Sequence, residues 1–306
     1  MLSYALRRSV MSLLVLFTIT VLCFMMLKAS GDLATTLAGE GGGADYVEFL
    51  RKTYGLDQPL IIQYWNWLKG VFSGNLGMSF YFNIPVTDLI LARLPVTLTL
   101  GLGAMAIALC IAFPLGIVAA LRPGSMVDYL VSLVVLVAQA TPIFWMSFLL
   151  ILLFAINLGI LPASGSAGLR NFIMPCLALG LYSTPAIIRI IRGEMIEALA
   201  SDYVRTARAK GLGYGTILLR HALRNTLVPV VAISSVQFGF LLGGSVVVET
   251  VFALRGIGYL TWEAITQNDY PVVQATVVIV SAFYVVLTLA ADILNCLIDP
   301  RVRLTD

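Results

Sequence analysis

Six stretches of the chain carry no charged residue at all: 9–27, 94–121, 129–169, 171–188, 225–248 and 270–291. A helix that crosses a bilayer needs about 20 mostly apolar residues, so each stretch predicts one crossing. The third is longer than one helix requires, but Gly159, Pro162, Gly165 and Gly168 fill its second part with turn residues. That pattern predicts a helix to about Asn157 followed by a loop. The prediction is an all-α integral membrane fold with six transmembrane helices. Pro114, the pair Thr141-Pro142, Pro175 and Pro185 fall inside these runs. Each removes a backbone donor and predicts a kink, which lipid tolerates where neighbouring helices or water satisfy the freed carbonyl. The fifth run holds Gln237, Gly239, Gly243, Gly244 and Ser245. Gly239-x-x-x-Gly243 predicts close helix approach, either within the chain or against a partner.

Two polar segments interrupt the apolar pattern. Residues 31–93 contain two stretches, 46–54 and 59–72, that read as short helices, the second opening on a proline as a first turn permits. In it Tyr64, Trp65, Trp67, Leu68, Val71 and Phe72 make a broad aromatic and apolar surface. Such side chains favour the headgroup level, so this helix is expected to lie along the membrane interface. The other segment, 197–229, reads EALASDYVRTARAKGLGYGTILLRHALRNTLVP. Its residues 202–210 have no breaker and predict one helix, and Gly211 predicts a corner. After Gly213, Leu219, Ala222, Leu223 and Thr226 recur at i, i+3, i+4 and i+7, with Ile217, Arg220, His221 and Arg224 on the opposite side. The segment is thus a helix, a glycine corner and a basic amphipathic helix. Residues 197–226 are the candidate functional site.

Composition excludes a soluble fold: 59% of residues are hydrophobic, 11% are charged and mean hydropathy is +0.95. Lys and Arg set the orientation. With both termini inside, the inner set is Arg7, Arg8, Arg122, Arg189, Arg192, Arg205, Arg208, Lys210, Arg220, Arg224, Arg301 and Arg303. The outer set is the smaller one, and much of it lies deep in 31–93, where the rule has little force. The first apolar run follows Arg7 and Arg8 but outlasts a signal core and leads to no A-x-A site, so an uncleaved anchor is expected. A net charge of +3 gives no reason to expect nucleic acid. Cys23, Cys110, Cys176 and Cys296 are scattered through apolar runs, and His221 is the sole histidine. That set suits neither disulfides, nor a metal site, nor acid–base catalysis. No G-x-x-x-x-G-K-[ST] phosphate loop occurs. The chain itself is therefore not expected to be an enzyme.

The words DYVRTARAKGL and LLRHALRNTLVPVV, with YGLDQPL, QYWNWLKGVFSGNLGMSF, RLPVTLTL, QFGFLLGGSVVVETVF, GIG and NDYPVVQA, carry a resemblance over nearly the whole chain. They resemble the first-permease type of the oligopeptide/dipeptide branch of ABC importers, which includes nickel carriers. In the wider family the loop begins Glu-Ala-Ala. Here Ala207 and Gly211 match, while Arg205 stands in place of the Glu and Thr206 in place of the first Ala. Asn75 and Ser30 depart from the Gly-Asp-Leu-Gly and Pro-Gly-Asp-Pro words usual in the branch.

The resemblance implies a type I ABC importer permease: an anchor helix in 1–30, an extracytoplasmic scoop in 31–93 and a core in 94–306. It implies a second, related permease subunit, two ATPase subunits that hold ATP and Mg, and an extracytoplasmic binding protein that delivers a peptide or related solute such as glutathione. It places the chain in a prokaryotic inner membrane, with no cofactor of its own. Tyr203, Arg205, Thr206, Ala207, Arg208, Lys210, Gly211, Arg220 and Arg224 become the expected contacts to the ATPases. Gln139, Thr141, Gln237 and Ser245 are candidates for lining the solute pathway. A secondary carrier or channel is the alternative. It would call for paired half-helices, an intramembrane ion pair or a filter sequence, none of which is legible here.

Overall fold

The computed structural model describes residues 2–29, 31–39 and 41–298. Ser30 and the basic tail with Arg301 and Arg303 lie outside them. The described chain is helical apart from an isolated bridge between Met78 and Pro85. α1 (Leu2–Ala29) opens it, and α2 (Leu33–Ala38), α3 (Ala44–Thr53) and α4 (Leu60–Phe72) build the excursion that follows. α5 (Val86–Leu121), α6 (Met126–Ala140) and α7 (Ile143–Leu150) come next, α7 running on into a π-helical stretch, Ile151–Asn157. α8 (Arg170–Ala200), α9 (Asp202–Ala209) and α10 (Tyr214–Thr216) lead to a second π stretch, Ile217–Ala222. α11 (Leu223–Val251), α12 (Ile257–Thr266) and α13 (Tyr270–Ile298) complete the order.

Five helices are long and apolar enough to cross a membrane, and α6 with α7 and its π extension make a sixth if the bent pair counts as one span. The bend is 101° and falls at Thr141-Pro142, where the missing donor predicted a break. Pro175 and Pro185, by contrast, sit inside a continuous α8. The second span begins at Val86, before the charge-free run does, because Asp88 and Arg93 ride on its first turns.

α5, α8 and α11 form the centre. Apolar area drives no association between helices in lipid, so close packing has to. The α5–α8 seam shows how: Ala104, Ala108, Ala112 and Gly116 meet Gly180, Ile187 and Ile191, all buried. A Cβ on Gly180 would lie 2.8 Å from the Ala104 carbonyl oxygen, and one on Gly116 would lie 2.7 Å from Ile191 Cγ2. In α11, Gly239 makes room within the chain for the Tyr284 ring of α13, 2.3 Å from where a Cβ would stand, whereas Gly243 faces open space.

Two carboxylates fasten the end of the bundle remote from residues 197–229. Glu249 is wholly buried at the end of α11. It accepts hydrogen bonds from Thr97 Oγ1 on α5 and from Tyr259 N on α12, both at 2.8 Å, while Thr97 Oγ1 accepts from Ile257 N at 2.8 Å. The connection between α11 and α13 therefore holds a helix, α12, whose first turn is pinned to α5 and α11. Asp269, also fully buried, accepts from Phe80 N at 3.1 Å, Tyr81 N at 3.3 Å and the Ser79 hydroxyl. It ties the end of the excursion to the base of α13. Asp32 caps α2 by accepting from Ala34 N and pairs with Arg51 of α3.

The aromatic surface of α4 divides into two. Tyr64, Trp67 and Leu68 turn inward, and Phe17 and Phe24 of α1 pack on Tyr64 with ring centroids 6.3 and 5.4 Å away. Trp65 and Phe72 stay exposed. Gly180→Leu is expected to destabilise the chain by about 1–3 kcal/mol, the range for an overpacked site, with Gly193→Ala, which meets nothing within 4 Å, close to neutral. Thermal melting of the detergent-solubilised protein measures both.

Candidate functional site: a basic elbow

α9 is short because its N-terminal residue follows the extended Ser201 and its C-terminal residue runs into Gly211. Gly211 has φ +77°, a left-handed conformation that glycine adopts without a Cβ penalty. The corner closes with Gly211 N donating to Arg208 O at 2.9 Å and Leu212 N donating to Ala207 O at 3.3 Å. Beneath it, Val204, Ala207 and Ile217 form a small core of their own, each under a tenth exposed. Asn225 Nδ2 donates to Tyr203 Oη at 2.8 Å, bracing α9 against the first turn of α11. The elbow is thus a packed unit rather than a free loop.

The structure places Tyr203, Arg205, Thr206, Arg208, Lys210, Gly211, Arg220 and Arg224 on its exposed side. Arg205 is paired only loosely, with Asp202 at 3.4 Å, and both are well solvated. Such a pair holds little by itself and leaves the cations available. Thr206 donates back to Asp202 O at 2.9 Å. Ala207 differs from the other predicted contacts: it is buried and supports the corner from within.

The predicted faces of the second helix hold for buried Ala222 and Thr226 and for exposed Arg220 and Arg224, but not for Ile217 and Leu219. Ile217, expected on the basic side, is 2% exposed, and Leu219, expected on the apolar side, is 63% exposed. The cause is the π stretch at 217–222. An i→i+5 turn adds a residue, so Ile217 and Ala222 face inward together and Leu219 swings out.

The pathway candidates are not brought together. Gln139 lines a cavity between α6 and α8, and Thr141 donates to Val137 O at 2.7 Å beside the α6–α7 break. Gln237 is 9% exposed and directs Nε2 toward Ser183 O of α8 at 3.4 Å. Ser245 is buried and donates to Leu242 O at 2.8 Å. The last two therefore serve contacts inside the bundle.

Sequence reading missed an ion pair. Arg192 of α8 donates through Nε and through an Nη to the two oxygens of Asp128, at 2.6 and 2.7 Å. Asp128 sits in the first turn of α6 and also accepts from Gly124 N at 2.9 Å. The clue was available, since Asp128, Glu249 and Asp269 each stand immediately beside a charge-free run. Among the described residues no group of His, Cys, Asp and Glu could hold a metal ion.

Residues 112–304 match the family described as binding-protein-dependent transport system inner membrane component, and residues 1–101 match its N-terminal counterpart. The chain belongs to this family. The permease is 38% identical to a Brucella abortus (strain 2308) permease protein named for a peptide transport system, over 97% of this chain and 98% of the relative. It is 36% identical to the glutathione transport system permease protein GsiC of Escherichia coli (strain K12), over 99% of each. A chain of the MetNI methionine ABC transporter, solved facing inward, shares the fold with a TM-score of 0.57 at 19% identity, covering 69% of this permease and 96% of that chain. The protein is thus a multi-pass inner-membrane permease, the non-catalytic subunit of an ABC transport system.

Val204→Asp puts an unpaired charge into the elbow's small core and is expected to open it locally while the bundle stays folded. Limited proteolysis should then cut within 201–214, where wild type resists.

Proposed function

We propose that the permease is one transmembrane subunit of an ATP-driven importer for peptides or a related small solute such as glutathione. The observation that carries this is the elbow: a packed, basic, exposed corner on a bundle that otherwise offers apolar faces. In this reading the elbow lies in the cytoplasm with both termini and seats in one of two ATPase subunits. A second, related permease subunit completes the pathway, and an extracytoplasmic binding protein delivers cargo above the excursion. The names of the relatives from Brucella and Escherichia support the class of cargo.

The chemistry is mechanical. ATP closure moves the ATPase surface that holds the elbow. Arg205, Arg208 and Lys210 meet acidic groups there through charge-assisted hydrogen bonds. The small core under α9 and the Tyr203–Asn225 bond make the elbow move as one piece with α11. α11 is continuous from Leu223 to Val251 and is fastened through Glu249 to α5 and α12. A displacement at the inner elbow therefore reaches the outer end by a rigid path, which is what alternating access requires.

Changing Arg205 and Arg208 together to Glu is expected to leave membrane insertion and thermal stability unchanged while abolishing ATPase co-purification and uptake. Uptake equal to wild type would overturn the coupling role. Gly211→Val forces a β-branched residue into left-handed backbone at about 1–3 kcal/mol of local strain. It is expected to cut substrate-stimulated ATP hydrolysis strongly, with Gly211→Asn less affected. A cysteine placed at Lys210 should be labelled only from the cytoplasmic side.

A further inference from the structure

Between α6 and α8 lies a cavity of about 420 Å³, with Ser132, Val135, Leu136, Gln139, Arg189 and Arg192 on its walls. The transport reading assigns it no task. Its electrostatics are unbalanced. Arg192 is committed to Asp128 by two short hydrogen bonds. Arg189 stands one helical turn away, exposed at the edge of the same cavity, and among the described residues no carboxylate lines the space. A cation on a helix otherwise fit to cross a membrane calls for a counter-anion or for water at the interface. A guanidinium is the side chain best shaped to grip a phosphate or carboxylate by two oxygens.

The rest of the cavity says which kind of anion. Val131, Val135 and Ile188 give it an aliphatic floor. Leu136, on its wall, is 63% exposed, and Leu133, Val134 and Val137 beside it are exposed as well. The mouth therefore opens onto the apolar flank of α6 rather than onto a polar channel, and we take that flank to face lipid rather than the second permease subunit. Arg189 is on the half of α8 that leads to the elbow, so the cavity belongs to the inner leaflet if the elbow is cytoplasmic. Basic pockets between helices on that side suit anionic headgroups.

We infer that this cavity holds an anionic phospholipid of the inner leaflet, its phosphate on Arg189 and Ser132, and an acyl chain running past Ile188 and Val135 toward Gln139. The bound lipid would neutralise Arg189 and wedge α6 against α8 just below the Thr141-Pro142 break. The inference rests on the orientation proposed above but not on the cargo.

The test uses the permease purified in the complex it forms, equilibrated in bilayers of phosphatidylcholine with phosphatidylglycerol, then released and weighed by native mass spectrometry. Wild type is expected to retain phosphatidylglycerol over phosphatidylcholine. Arg189→Gln, which breaks no internal bond, should weaken that retention roughly tenfold, the loss of one charge-assisted contact, and Arg189→Lys should keep part of it. ATPase co-purification should be unchanged in both. Equal retention by Arg189→Gln and wild type, no preference for the anionic lipid, or displacement of the lipid by inorganic phosphate or by a peptide at comparable concentration would each overturn the inference. Because lipid retention is read separately from ATPase association, the inference and the coupling role fail independently.

Discussion

Lipid offers no hydrophobic force between helices, and that absence shapes the centre of this permease. α5 and α8 hold together because alanine and glycine let their backbones touch, with Gly180 against the Ala104 carbonyl and Gly116 under Ile191. α11 joins the pair, and its Gly239 admits the Tyr284 ring of α13. Small residues here act as contact surface. Replacing them with larger apolar residues would raise hydropathy and lose the bundle.

Onto that packed centre the chain fixes its moving or exposed parts with a few polar clamps. Asp128 with Arg192 joins α6 to α8 near the elbow. Glu249 joins α11 to α12 and α5, and Asp269 joins the excursion to α13. All three carboxylates are buried and each receives several donors. In a low-dielectric surrounding such bonds are directional and costly to leave unmade, so they define where elements meet. Apolar packing at the centre and polar clamps at both ends make α11 a continuous, fastened rod between the elbow and Glu249.

The predicted elbow and its departures show what pattern can reveal. The helix, the glycine corner and the basic residues around it were legible, because breakers and charges act locally. The facing of Ile217 and Leu219 was not, because the π stretch between them is chosen by how the elbow packs on its small core. Sequence also took Gln237 and Ser245 as pathway candidates on polarity alone. A polar side chain in an apolar run has to find a partner, and both found theirs inside the bundle.

The sequence by itself determined that this chain resides in a membrane, roughly where it crosses and which segment is its basic elbow, and it offered Thr141-Pro142 as one of several proline kinks, of which the structure bends sharply at that one. These follow from run lengths, proline chemistry and charge placement, which depend on near neighbours along the chain. Only the tertiary structure decided that Glu249 reaches Thr97, that Asp269 gathers the turn at Ser79–Tyr81, that the connection between α11 and α13 forms α12, and that Asp128 pairs with Arg192 and not with Arg189. Those facts depend on residues far apart in sequence meeting at hydrogen-bond distance, and no local pattern encodes that meeting.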